Sequence, residues 1–232
     1  MIEPDFLHTT RTGYNSVAVQ YAELFANKLE DRPLDRAMLA AFADIVRADG
    51  AGPVADIGCG PGHVTALLHS LGLSAFGVDL STEMLAIARK AHPDLRFDEG
   101  SMTALPLGDG ELGGILARYS IIHTPPERLP EVFAEFHRVL ASGGHLLLAF
   151  PAHDDPSEPA KAFDHKVALA HCWSPDGVAG LLRDTGLVEV ARLVQEPEEN
   201  DERGFQGAHL LARKGRPAAF RPPLVKRRKH SV

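Results

Sequence analysis

The chain has 232 residues, 44% of them hydrophobic and 24% charged, with a formal net charge of −7. That length suits one globular domain with a sizeable core, and the composition excludes a mostly disordered chain. Cys59 and Cys172 are the only cysteines, which excludes a disulfide framework and a cysteine-rich zinc site.

No stretch approaches the roughly 20 apolar residues of a membrane helix. Residues 1–12 carry Glu3 and Asp5 and lack an apolar signal core, so the expected location is cytoplasmic, without membrane contact. The charge is uneven. Residues 216–232 hold Arg216, Arg221, Lys226, Arg227, Arg228 and Lys229 and no acid, so −7 divides into a tail of +6 and a body of −13. The Pro- and Arg-rich tail has no apolar period and reads as disordered and solvated. An acidic body argues against a nucleic-acid groove.

Residues 14–30 place Val17, Tyr21, Leu24 and Phe25 at helical spacing. A second helix is expected over 35–47, after Pro33 and before Gly50. The period then shortens. Strands are expected at 53–57, 74–79, 95–97, 114–119 and 145–150. Helices between them are expected at 63–71, 82–91 (with Ser81 as N-cap) and 127–140. Residues 151–173, with Pro151, Pro156 and Pro159, break this alternation and read as a lid insertion at the carboxyl edge of the sheet. Ser174 opens a last helix to Asp184, and 187–194 with 207–212 read as an antiparallel edge pair. Strand–helix alternation implies a parallel sheet wound on both faces. The expectation is one domain over 1–215, with a helical cap at 14–50, the lid and the basic tail.

The most informative segment is Val54-Ala55-Asp56-Ile57-Gly58-Cys59-Gly60-Pro61-Gly62. Glycines between a strand and a helix let backbone approach a ligand, and the helix start offers free N–H groups. Asp79, ending the next strand, stands where a carboxylate accepts a ribose diol. Together they specify a nucleoside ligand. The spacing departs from G-x-G-x-x-G, and Asp56 would repel a pyrophosphate. A ligand without phosphate is therefore favoured over a dinucleotide.

These residues resemble the class I S-adenosylmethionine-dependent methyltransferases, in their small single-domain group. The resemblance is carried by Asp56-Ile57-Gly58-Cys59-Gly60-Pro61-Gly62, by Gly77-Val78-Asp79-Leu80-Ser81-Thr82-Glu83-Met84-Leu85, by Leu105-Pro106-Leu107, and by His137 through Gly144. It spans about residues 14–213. It implies an α/β, Rossmann-like fold: seven strands, mostly parallel, helices on both faces, the last strands an antiparallel hairpin. It implies S-adenosylmethionine as cofactor and S-adenosylhomocysteine as product. Gly58, Cys59 and Gly60 would pass under the methionine part. Asp79 would hold the ribose, Leu80 would flank the adenine, and Met84 would pack beside it. Ser101 and Met102 would border the adenine. The Arg118 carbonyl would meet the cofactor ammonium, and Tyr14 and Tyr21 would close over the ligand. Asp56 joins Asp79 as an acid tied to a cationic sulfonium. The chain departs from the family at Gly100-Ser101-Met102, where Gly-Asp-Ala is frequent, and at Gly113, where Asp is frequent.

A sulfonium is an activated leaving group, so the protein must mainly align an acceptor and exclude water. A base is needed only if the acceptor loses a proton. His123, after the fourth strand, is the candidate base, with packing as its alternative role. His153, His165 and His171 lie in the lid. No metal site is expected, since Asp154 and Asp155 fit no ligand spacing. The expected activity is methyl transfer by in-line displacement to a small molecule, as in secondary metabolism, by a monomer or homodimer. A non-catalytic adenosyl-ligand binding module is the alternative. A nucleotide dehydrogenase is disfavoured by the glycine spacing.

Overall fold

The computed structural model describes residues 4–26, 29–50, 52–155, 157–197 and 204–215. The basic tail lies outside the described residues. Two helices come first, α1 (Asp5–Phe25) and α2 (Pro33–Asp49), followed by β1 (Val54–Ile57), α3 (His63–Ser70), β2 (Ala75–Asp79), α4 (Thr82–Ala91), β3 (Phe97–Glu99) and β4 (Leu112–Arg118). Then come α5 (Leu129–Val139), β5 (Leu140–Ala152), β6 (Ala160–Phe163), β7 (Ala170–Trp173), α6 (Pro175–Asp184), β8 (Leu187–Gln195) and β9 (Gln206–Lys214).

The core of the sheet runs β3-β2-β1-β4-β5-β9-β8. Strands β1 to β5 are parallel. β9 lies antiparallel between β5 and β8. This is the expected seven-stranded, mostly parallel sheet with an antiparallel hairpin at its end. The central strands are mostly apolar because both their faces are covered. Successive residues take opposite sides. Val54, Leu116, Leu147 and Leu211 pack under Leu39, Phe42 and Val46 of α2 and Leu68 of α3. Ala55, Ile115, Leu146, Leu148 and Leu210 face Val132, Phe133 and Phe136 of α5 and Leu182 of α6.

Residues 151–173 carry order that their sequence does not announce. β6 and β7 pair antiparallel, and Trp173 of β7 sits beside Ala152 at the end of β5. The sheet therefore gains two short strands beyond the carboxyl ends of the central ones. Helix α1 begins at Asp5, well before the expected residue 14, because Pro4 precedes it and Leu7 and Thr10 are buried.

Candidate functional site

The strand order reverses between β1 and β4, and open α/β sheets bind ligands at that switch point. A cleft lies there, at the carboxyl ends of β2, β1 and β4, roofed by α1. Tyr14, Tyr21, Gly58, Gly60, Asp79, Leu80, Met84, Met102, Arg118 and His123 line it, with Ser120 among the others. Ten of the expected site residues thus come together.

Three do not. The Asp56 carboxylate is buried behind the loop, where Oδ2 accepts from the Thr65 hydroxyl at 2.7 Å. Burial pushes its pKa up to about 6 against that hydrogen bond. Cys59 turns away from the cleft and packs with Leu85, Ala88 and Phe97. Burial and the Asp79 and Asp56 charges hold its thiol well above the usual range, so it is a packing residue. Ser101 is tied into its own turn, its Oγ 2.8 Å from the Thr103 hydroxyl. Short polar and small residues beside a ligand loop look alike in sequence, and only the direction of the side chain separates lining from support.

The loop after β1 is shaped by close packing. Gly58 has φ +75°, and a Cβ there would stand 2.3 Å from the Ser120 Cβ. Nothing stands within 4 Å of where a Gly60 Cβ would be, so the backbone there lies open. Asp79 spans the gap from β2. One carboxylate oxygen accepts the Gly60 N–H and the other the Ser81 N–H, both at 2.8 Å. The Leu80 backbone adds a third such contact, and the carboxylate keeps acceptor capacity for a further donor. Burial raises the Asp79 pKa, and these backbone N–H groups lower it. A fixed carboxylate with spare acceptors beside bare backbone fits a ribose diol. Next to it, Ser81 Oγ caps α4 by accepting the Met84 N–H.

His123 lies in a 3-10 turn, Ile121–His123, and is buried. Its Nδ1 is 2.9 Å from the Leu169 carbonyl, before β7, and its Nε2 is 3.2 Å from the Tyr14 hydroxyl. A carbonyl only accepts, so Nδ1 carries the proton and Nε2 is the acceptor. Burial lowers the His123 pKa, the Leu169 carbonyl opposes this, and His171 adds to it. The ring is therefore neutral near pH 7, with a basic nitrogen held toward the cleft. The Tyr14 pKa is raised well above normal by burial, then by Tyr21 and Asp79, so its hydroxyl keeps its proton. Helix α1 and the hairpin also touch at Gly13, where a Cβ would stand 2.6 Å from the Val167 carbonyl oxygen.

Arg118 closes the other side. Its Nη2 donates to Asp35 Oδ2 of α2 at 2.6 Å, and Gln195 of β8 donates to Oδ1 at 3.2 Å. Burial raises the Asp35 pKa, but the Arg118 hydrogen bond and charge outweigh it and the net shift is downward. Sequence reasoning missed Asp35 and Gln195, which lie far from Arg118 along the chain. Among the described residues no group of three or more His, Cys, Asp or Glu is placed to hold a metal ion, and no helix is long and apolar enough to cross a membrane.

The fold and the cleft define a Rossmann-like domain with an open cleft at its switch point. Residues 54–144 match a family model described as a methyltransferase domain. Trans-aconitate 2-methyltransferase of Rhizobium meliloti is 33% identical over 77% of this chain and 65% of that protein. Demethylmenaquinone methyltransferase of Chlorobaculum parvum is 31% identical over 65% of this chain and 63% of that protein. The chain thus spans just under two thirds of the length of either relative. Among solved structures, 1,6-didemethyltoxoflavin-N1-methyltransferase of Burkholderia thailandensis, with S-adenosylhomocysteine bound, superimposes with a TM-score of 0.69 at 21% identity. That match covers 93% of this chain and 92% of that one, and shows the shared fold. In sequence over residues 54–144 and in fold, the chain is thus similar to the class I S-adenosylmethionine-dependent methyltransferases.

Proposed function

We propose that this protein transfers a methyl group from S-adenosylmethionine to a small-molecule acceptor. The observation that carries the reading is the Asp79 carboxylate, fixed by Gly60 and Ser81 beside the open loop. The cofactor, when bound, supplies the methyl group and its own sulfonium leaving group. Asp79 would hold the ribose hydroxyls, with Leu80, Met84 and Met102 packing about the adenine. Tyr14 and Tyr21 would cover the ligand from α1 and keep water out. The protein's main task is then alignment and exclusion of water.

His123 would serve acceptors that must lose a proton. Its Nε2 already accepts from a hydroxyl, Tyr14 Oη, at hydrogen-bond distance. An acceptor O–H or N–H reaching that nitrogen would find a neutral imidazole oriented by the Leu169 carbonyl. The acceptor belongs to the small-molecule class by reason of the half-enclosed cleft and the acidic body, and two relatives are named for a small acid and a quinone precursor. The test is a thermal shift with S-adenosylhomocysteine: a ligand bound only by the folded state raises the melting temperature. No shift at saturating ligand refutes the cofactor site. Turnover of methyl-labelled cofactor across an acceptor panel then tests the transfer itself.

A further inference from the structure

The strands on either side of β1 deliver the charged groups of the cleft. Asp79 ends β2, Gly58 follows β1, and Arg118 ends β4, in the strand order β2-β1-β4. Adjacent strands lie about 4.8 Å apart, so the backbones of Asp79 and Arg118 stand about 10 Å apart across the glycine loop. Among the lining residues Asp79 is the one carboxylate and Arg118 the one guanidinium. A ligand that fills the cleft therefore meets an acceptor of hydroxyls at one end and a donor to anions at the other.

The guanidinium is prepared for a second partner. Its side chain is 19% exposed. Its Nη2 donates to Asp35, while Nε is buried with no hydrogen-bond partner among the described residues. The group is planar, its carbon 4.9 Å from the centre of the Tyr119 ring. Asp35 in turn is anchored by Gln195. Stacking and pairing together fix the plane, and a fixed fork loses little freedom on gripping a carboxylate. Tyr119 is held at φ +52°, an uncommon backbone for a non-glycine residue, and this turn puts its ring beside Arg118.

We infer that the Arg118 guanidinium, positioned by Asp35 and Tyr119, binds the carboxylate at the amino-acid end of the cofactor. This rests on the cofactor reading above and assigns a side-chain role to a residue expected to contribute only its carbonyl. It makes Arg118 a determinant of ligand length: a nucleoside without the amino-acid end loses this contact and keeps Asp79.

The experiment is calorimetry on the full chain with three ligands: S-adenosylhomocysteine, its decarboxylated analogue, which keeps the amine, and 5′-methylthioadenosine, which lacks the amino-acid end. The wild type should bind S-adenosylhomocysteine at least about tenfold more tightly than the decarboxylated analogue. In Arg118→Met that preference should vanish, while affinity for 5′-methylthioadenosine stays within about twofold. Arg118→Lys should restore part of the preference. Should the Met variant fail to fold, the wild-type comparison of the two homocysteine ligands still decides. Equal wild-type affinity for those two, or an equal loss for all three ligands in Arg118→Met, overturns the inference. If the wild type binds 5′-methylthioadenosine but shows no carboxylate preference, only the Arg118 assignment fails. If it binds none of the three, the cofactor reading itself fails.

Discussion

The proton on His123 is fixed by a carbonyl, and this decides what the ring can do. Because Leu169 holds Nδ1–H, the basic lone pair on Nε2 faces Tyr14 and the cleft. His123→Ala should lower turnover at least about tenfold while leaving cofactor affinity nearly unchanged, for general-base contributions of that order and above. The pH–rate profile of the wild type should show an acid limb below the usual histidine pKa of about 6.5, because burial lowers the value. A variant with full activity and the same acid limb would reduce His123 to a packing residue. Asp79→Ala should weaken S-adenosylhomocysteine binding by roughly 1–3 kcal/mol, the range for losing hydrogen bonds to a charged acceptor. Unchanged affinity by calorimetry would remove Asp79 from the ribose. Asp56 makes a different prediction, one of stability. Its folded pKa of about 6 exceeds the unfolded value of 3.8, so its contribution favours folding at low pH and is lost as pH rises through about 6. Asp56→Asn keeps an oxygen for the Thr65 hydroxyl and has no proton to lose. Its stability relative to wild type should therefore rise by about 1–3 kcal/mol from about pH 4 to about pH 7, measured by urea unfolding. A constant difference across that range would contradict the burial argument.

At the scale of elements, the glycine loop and the turn after β4 are built as one unit. Gly58→Ala asks for a Cβ 2.3 Å from Ser120 at a positive φ. The expected loss is about 2–4 kcal/mol of stability, from strain plus overpacking, and cofactor affinity should fall with it. A variant as stable as wild type would show that the turn yields. Which elements could be read in advance follows from their signals. Helix α4 matches its expected span, 82–91, because Ser81 is a strong cap and Met84, Leu85 and Ala88 keep a helical period. The glycine loop and Asp79 were legible because chemistry and position coincide in one short stretch. The β6–β7 hairpin was not, since Ala160–Phe163 and Ala170–Trp173 are short and owe their pairing to β5. Nor was the Asp35–Arg118–Gln195 network, which joins α2, β4 and β8 across the molecule. The anchor of His123 is a backbone carbonyl, which carries no side-chain signal.

At the scale of the whole molecule, helix α1, which lines the cleft, is braced by the loop of the β6–β7 hairpin from far along the chain. They meet at Gly13 against Val167 and again where Tyr14 reaches His123. Gly13→Val should push them apart. Hydrogen exchange should quicken in residues 10–21 and 164–169, and S-adenosylhomocysteine should dissociate faster, while the melting temperature changes by only a few degrees. Unaltered exchange in both segments would show that the contact does not hold the roof.

The placement of β9 has a consequence for how the chain is made. Leu146, Leu147, Leu148, Ala149 and Phe150 of β5 are fully buried, and one edge of that strand pairs with residues 206–213. A ribosome emits β5 first and its partner only after some sixty further residues, at about 5–20 residues per second. For several seconds the most apolar strand of the nascent chain has an open flank. A synthesis pause or truncation between 153 and 205 would leave that flank uncovered, and the resulting fragment would be a natural client for chaperones.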